Sequence, residues 1–385
     1  MTIRSFRVFL NSLAGCTALL FACSSCNDHE TDPSQNAPID SNYHVWKKKD
    51  GPFVIKNDTL IDNNIEIEAG STLLINDSAT LTFTGDVHFA GTKEQPIHVA
   101  PIANHCGYIL FDQDSANITI TNTEFANSKL KLNRIAFVEL HSLYFTNSAK
   151  LNSNESLICA YRGGNLRAKE ITMISNNYGE GIVVTKMDTV LISNSYFENI
   201  NDAVEIELCA YGEIRACEFL RNASDDAIDL NGCDSVLIID NRFNGIADNA
   251  IETGWNLYYK QKTREVSVTN NLFEDCMIGI QAKEGAHITG IQNTFRKCQY
   301  TSCSIHEGSH QIHQKSIVDG VLNKTDSIDR DAVPTQWTYS ITNGKELFGI
   351  KNCVLEDVYN IDSTTCFGQT NIGFNLVNST STAHE

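Results

Sequence analysis

The residues best suited to chemistry in this sequence are carboxylates that recur at a fixed spacing. NDAVEI (201–206), SDDAIDL (224–230) and ADNAIETG (247–254) each place an acid before a short alternating strand and another acid within it. Side chains alternate across a strand, so if Val204, Ile206, Ile228, Leu230 and Ile251 point inward, then Glu205, Asp229 and Glu252 point outward. Stacked at strand spacing, neighbours in that column stand about 4.8 Å apart and its ends about 10 Å apart. The shorter separation suits the nucleophile and acid of a retaining glycosidase, and the longer one suits inversion with a water between the acids. Asp202, Asp225, Asp226 and Asp248 fall at the turn leading into the strand, and Asp225 and Asp226 are candidate ligands of calcium, which takes carboxylate oxygens. A bland alternative stands beside each role, since turn aspartates often bond backbone N–H groups and outward acids often only face water.

Two bases and an aromatic segment border these acids. Lys283 lies one repeat further on, and His306 lies in the looser copy QYTSCSIHEG (299–308). The stretch GWNLYYKQKTR (254–264) is an insertion of about seven residues directly after Glu252, by comparison with the neighbouring repeats. Trp255, Tyr258 and Tyr259 are the side chains that stacking on sugar rings would use, and Arg264 would hold a sugar carboxylate. With calcium held by Asp225, Asp226, Asp229, Glu205 and Glu252 neutralising a uronate, Lys283 or His306 would serve as the base of a lyase or epimerase; Glu205, Asp229, Glu252 and Lys283 are the candidate catalytic residues.

The scaffold that must position these groups is a repeat. Segments of the form apolar-x-Asn-x-x-Phe end at Phe125, Phe197, Phe243, Phe273 and Phe295, with looser copies at Phe145 and Phe219. From Phe197 onward the steps are 22, 24, 30 and 22 residues. Each period holds two or three short strands and no room for a ten-residue helix. No single coil can bury its apolar positions alone, so Phe, Ile and Val must stack on their counterparts and Asn can form a hydrogen-bonded ladder. Prolines gather at or before Pro101, with one exception at Pro334, and the repeats lack them, as a ladder that uses every N–H requires. The prediction is an all-β chain, a right-handed parallel β-helix with coils of about 22–24 residues over 46–310, and final coils with a cap over 311–385.

A resemblance sharpens this. IEIEAGSTLLINDSATLTFTGDVHFAGTKEQPIHV (65–99) resembles the opening coils of bacterial β-helix proteins, and Gly179 to about Gly308 is similar to right-handed β-helix repeat proteins of the pectin-lyase-like superfamily. The resemblance implies the fold, and it implies carbohydrate as the partner class while leaving the reaction open among lyases, hydrolases, epimerases and proteins without catalysis. SDDAIDL, with Asp202 one coil earlier, resembles the acid set of the polygalacturonases. The next coil, IADNAIETG, lacks the Gly-His-Gly that family carries there, and no Arg-Ile-Lys follows. A non-catalytic surface module that binds glycan or protein is the other reading.

The first residues show a basic start (Arg4, Arg7), an apolar run and then cysteine, the pattern of an export signal. Leu20-Phe21-Ala22-Cys23 resembles the lipobox of bacterial lipoproteins, which implies cleavage after residue 22 and lipidation of Cys23; Cys16 and Cys26 are alternatives. The polar stretch 23–45 reads as a tether, and the expected place is the bacterial cell envelope, at the outer membrane, the cell surface or a periplasmic face. Loss of residues 1–22 removes two arginines and no acids, taking the net charge from −18 to −20. Such a chain is a poor match for nucleic acid. It suits a polyanionic glycan only if calcium or a local basic patch intervenes. No Cys-x-x-Cys pair occurs beyond Cys26, which argues against zinc, and the pairs Cys209/Cys233 and Cys276/Cys298 predict buried thiol ladders with vertical disulfides as the alternative. The chain is expected to be a monomer.

Overall fold

The computed structural model describes residues 43–103, 107–146, 155–176, 179–222, 225–256, 258–283, 288–298, 300–305, 354–356 and 375–377. These residues form the parallel β-solenoid that the repeat predicts. Three strands make a coil, as in Asn201–Glu207, Tyr211–Arg215 and Glu218–Leu220. Each pairs in parallel with its counterpart one coil on, in Ile228–Asn231, Ser235–Ile239 and Arg242–Asn244. The first strand, His44–Trp46, begins two residues inside the stretch predicted to be a tether, and Trp46 stacks on Phe53 at 4.7 Å in that first coil. Segment 65–99 therefore forms the second and third rungs rather than the opening ones. Near the far end, Val354–Glu356 and Asn375–Val377 extend the rung of Thr294–Arg296, with Leu355 and Leu376 standing where Phe295 stands.

Corners set the coil shape. The residue three before the stacked phenylalanine has positive φ at Asn122, Asn194, Ala216, Asp240, Asn270 and Gln292, and so does the residue two after it at Asn127, Asn199, Arg221, Gly245, Asp275 and Lys297. One left-handed residue turns the chain sharply, and asparagine and glycine tolerate that conformation best. The Asn of the sequence motif thus resolves into two places. One occupies this left-handed corner, and the other, one residue later, points inward.

Those inward asparagines form the ladder. Asn241 N–H donates to Asn271 Oδ1 at 2.8 Å, and Asn271 N–H donates to Asn293 Oδ1 at 2.9 Å. Their side-chain amides donate in turn to the carbonyls of Ile214, Ile238 and Val268. Cys217 and Ser195 take the same place on earlier coils, with Cys217 N–H on Asn241 Oδ1 and Ile171 N–H on Ser195 Oγ. Beside the ladder, the rings of Phe197, Phe219, Phe243, Phe273 and Phe295 stack at 4.6–5.0 Å, within 8° of parallel.

The described cysteines are free thiols, so the disulfide alternative is not realised. Cys209, Cys217, Cys233, Cys276 and Cys298 are buried just after a left-handed corner residue, and each thiol donates to a nearby carbonyl, as Cys233 Sγ does to Ile206 O at 3.1 Å. Burial penalises the thiolate and pushes Cys209 and Cys217 up to about 12, which makes them packing groups rather than nucleophiles.

Two substitutions separate the contributions to the core. Phe243→Ala removes a ring from the middle of the stack and is expected to cost about 3–5 kcal/mol. Asn271→Ala leaves the Asn241 N–H without its acceptor and the Ile238 carbonyl without its donor, at about 1–3 kcal/mol for each group left unpaired. Denaturant midpoints check both, and an Asn271→Ala midpoint equal to that of the unaltered protein would show that the ladder is dispensable.

Candidate functional site

The outward sheet is made of the part of Glu180–Ser193 that precedes the corner at Lys186, with Asn201–Glu207, Ile228–Asn231, Asn249–Asn256 and Ile278–Lys283. Val204, Ile206, Ile228, Leu230, Ile251, Ile278 and Ile280 are buried, which turns their neighbours outward. Register then aligns Glu205 with Asp229, Asp229 with Glu252, and Glu252 with Gln281, the column expected from the spacing. The face is not simply solvated, however. Glu205 and Asp229 are only partly exposed, and Gln281, expected to face water, is fully buried with neither amide atom hydrogen-bonded among the described residues.

At the corner before the column, carboxylates carry the backbone from coil to coil. Asp226 N–H donates to Asp202 Oδ1 at 3.3 Å, and Asp226 Oδ1 accepts from Asn249 N–H at 3.1 Å and from Asn249 Nδ2 at 2.8 Å. Asn249 Nδ2 also donates to Glu252 Oε2 at 2.9 Å, which joins the corner to the outward column. Asn222 secures the same turn by donating to Asp226 O and accepting from Asp225 N–H. Asp226 therefore has a structural task as well as a place among the acids.

Carboxylate oxygens of Asp226, Asp229 and Glu252 lie within 4.8 Å of one another, and so do those of Asp202, Asp225 and Asp226. Asp226 belongs to both groups. So many acids in a shielded place raise one another's proton affinity. Burial, with Asp229 next, pushes Glu205 up to about 9, and burial, then Asp229, Asp225 and Glu180, pushes Asp202 up to about 9. Asp226 is raised by burial and then by Glu252, and Glu180 by burial and then by Asp225. An all-oxygen donor set suits a hard cation such as calcium, and the unpaired amide of Gln281 adds one more oxygen to the column. These residues fit a divalent ion.

The insertion after Glu252 is a β-hairpin, with Trp255 opposite Lys262 and Asn256 opposite Gln261. It folds back over earlier coils. Gln261 Nε2 donates to Gly232 O at 2.7 Å, Thr263 Oγ1 accepts from Gly232 N–H at 2.9 Å, and Asn256 Nδ2 donates to Glu207 Oε1 at 3.0 Å. Lys186 Nζ lies 3.6 Å from the centroid of the Tyr259 ring, and Tyr258 packs edge-on against Tyr259. The hairpin thus borders the acid column at Glu207, with Tyr258 85% exposed. Arg264 is exposed and ion-paired with Asp234 at 3.4 Å, at the next corner and not on an acid of the column. The side chains of Trp255 and Lys283, and all of His306, lie outside the described residues. The residue that sequence reasoning missed is Asn249. Aligning ADNAIETG with SDDAIDL puts it where Asp226 stands, so the signal was present, but only acids were sought.

A family model described as "Right handed beta helix region" matches residues 134–295, which include the Glu205, Asp229 and Glu252 coils. No curated protein matches the sequence. A solved PL6 family polysaccharide lyase from Pseudopedobacter saltans is similar at a TM-score of 0.35 and 11% identity, over 86% of this chain and 93% of that one. A likeness so slight carries no argument about chemistry here.

The raised carboxyls make stability depend on pH in a definite direction. Between the ordinary values of 4.5 and 3.8 and the folded values of about 9, Glu205 and Asp202 keep protons in the folded state that the unfolded chain has lost. Their contribution is complete below the unfolded values and is lost as pH rises through about 9. In a chelating buffer the melting temperature should therefore fall from about pH 5 to pH 9, and Glu205→Gln should flatten that fall. Equal slopes for the variant and the unaltered protein would show that Glu205 is not strained in this way.

Proposed function

The chain is a right-handed parallel β-helix repeat protein, and we propose that it is an exported, lipid-anchored one that holds carbohydrate on its outward sheet with the help of a divalent cation. The observation that carries the reading is the convergence of Asp226, Asp229 and Glu252 oxygens within 4.8 Å, beside a hairpin that presents an exposed tyrosine. Asp226, Asp229 and Glu252 would hold the ion, with Asp202 and Asp225 as a second group around the shared Asp226. Calcium there would cancel the mutual repulsion of the acids and offer open positions to sugar hydroxyl or carboxylate oxygens. Tyr258 and Tyr259 supply ring faces of the kind on which sugars stack, and the hairpin that bears them is fixed to three coils, so they need little ordering when ligand arrives.

Processing of the glycan is the second reading, and the proton affinity of Glu205 and Asp202 favours it. A carboxyl that keeps its proton at neutral pH has the property a general acid needs. The two readings part on products, since lyase action yields unsaturated ends that absorb and hydrolysis yields new reducing ends, whereas a binding module yields neither.

Calorimetric titration with calcium tests the shared premise. The unaltered chain should bind calcium and melt higher with it, and Asp229→Asn/Glu252→Gln should lose at least roughly tenfold in affinity, about 1.4 kcal/mol. The double variant should melt no lower than the unaltered protein in chelator, because it removes repulsion rather than packing. Absence of any calcium-dependent shift in the unaltered protein would end the cation reading. For the anchor, Cys23→Ser should move the protein from the detergent phase to the aqueous phase after expression in a bacterium that lipidates exported proteins. An unchanged partition would place the lipid elsewhere or nowhere.

A further inference from the structure

The outward sheet continues on the N-terminal side of the acids, and there its charge changes sign. In the column of Glu205 the preceding rungs are Val183, Cys159 and Lys131, and in the column of Glu207 they are Thr185, Tyr161 and Asn133. The next residue on each coil turns the corner in the left-handed conformation: Arg134, Arg162, Lys186, Leu208 and then Gly232. Three cations thus occupy one corner on three consecutive coils.

Their surroundings differ. Arg134 is engaged by Asp112 at 2.8 Å and Asp114 at 3.4 Å. Arg162 lies 5.0 Å from the Tyr161 ring centroid, Lys186 lies 3.6 Å from that of Tyr259, and Lys131 lies 3.8 Å from that of Tyr108. Among the described residues no carboxylate pairs with any of these three, although acids outnumber bases by 47 to 29 in the whole sequence. A cation resting on an aromatic ring keeps N–H donors free for an anion, and Arg in particular presents a fork matched to carboxylate or sulfate. Tyr161 is 37% exposed beside Arg162, which leaves a ring available to a sugar face.

Distances along the coil axis then limit the ligand. From Asp229, one of the residues that would hold the ion, to Lys131 is four rungs, about 19 Å at about 4.8 Å per rung. No single sugar spans that length, but an extended chain lying along the axis meets a new rung at each step.

Resting on the reading that the acid sheet holds carbohydrate, we propose that Lys131, Arg162 and Lys186, with Tyr161 as a stacking platform, form a second binding region for the anionic groups of an extended acidic polysaccharide. One end of such a chain sits at the cation held by the acids. The following carboxylate or sulfate groups meet the bases, so one strongly acidic protein binds a polyanion through two local reversals of its charge.

The test uses the full chain loaded with calcium and compares binding of polygalacturonate, heparin and dextran, with a galacturonate trimer as the short ligand. Lys131→Gln/Arg162→Gln should weaken binding of the long anionic ligand roughly tenfold or more and flatten its salt dependence. Binding of the trimer and of calcium should not change, and Arg162→Lys with Lys131 intact should recover part of the loss. Lys186 is left in place because it supports Tyr259. Because heparin carries carboxylates as well as sulfates, retention of heparin without polygalacturonate would identify sulfate as the anion recognised, and retention of polygalacturonate would show that carboxylate suffices. If the double variant holds the long polymer as tightly as the unaltered protein does, the second region is refuted while the cation site stands. If dextran is held as well as the polyanions are, the acidic class is refuted. Failure of the unaltered protein to retain any of the three would overturn this inference together with the reading beneath it.

Discussion

Parallel pairing in register is the constraint from which the rest of this protein follows. Because each short strand lies on its counterpart one coil away, every side chain has the equivalent side chain of the next coil as its neighbour, about 4.8 Å distant. An interaction that is favourable between like residues is then repeated along the axis, and one that is unfavourable is repeated as well. Phenylalanine rings and asparagine amides are self-complementary, the rings through parallel stacking and the amides because each offers both a donor and an acceptor. They fill the inward columns, where water cannot correct a mismatch.

Carboxylates are not self-complementary. The column of Glu205, Asp229 and Glu252 places like charges where the register demands, and the corner adds Asp202, Asp225 and Asp226. The structure offsets part of the repulsion by making some acids useful: Asp202 and Asp226 accept backbone N–H groups from the next coil, the mirror of Asn271 and Asn293, which on the other side accept from the preceding one. Burial first, and what remains of the repulsion second, raises the proton affinity of Glu205 and Asp202. A proton or a cation can relieve it, and a cation leaves the face able to attract further oxygen ligands. Asn249, whose amide touches both Asp226 and Glu252, ties the two acid groups so that they must respond together.

Much of this was legible in the sequence because a solenoid writes its geometry as a period. The spacing of Phe197, Phe219, Phe243, Phe273 and Phe295 sufficed to foresee the ring stack, and the alternation in VEI, IDL and IET sufficed to set Glu205, Asp229 and Glu252 in one column. Departures from the period were legible only as length. The excess after Glu252 could be counted, but whether residues 254–264 hung free or folded back depended on bonds from Gln261 and Thr263 to Gly232, and no pattern announces them. Corners were obscured for another reason. Left-handed backbone is occupied here by Arg162, Lys186, Leu208 and Ala216 as well as by Asn, Asp and Gly, so residue type marked only some of the positions that turn. The burial of Gln281 was hidden too, since alternation says which way a side chain points and not what covers it.

The hairpin gains its importance from where it is fastened. Its three attachments fall on successive coils, at Gly232, Glu207 and Lys186, so it crosses the rungs instead of adding one more. Glu207 belongs to the acid side and Lys186 to the basic side, which puts the hairpin across the boundary where the outward face changes sign. A strap in that place cannot shift without disturbing both regions, since Asn256 holds an acid and Tyr259 covers a base. The aromatic pair is thereby held at the junction of two charge environments, each built by stacking one kind of residue on itself. Stacking alone produces uniform stripes, and the segment that breaks the repeat is what joins two stripes of opposite sign into one surface.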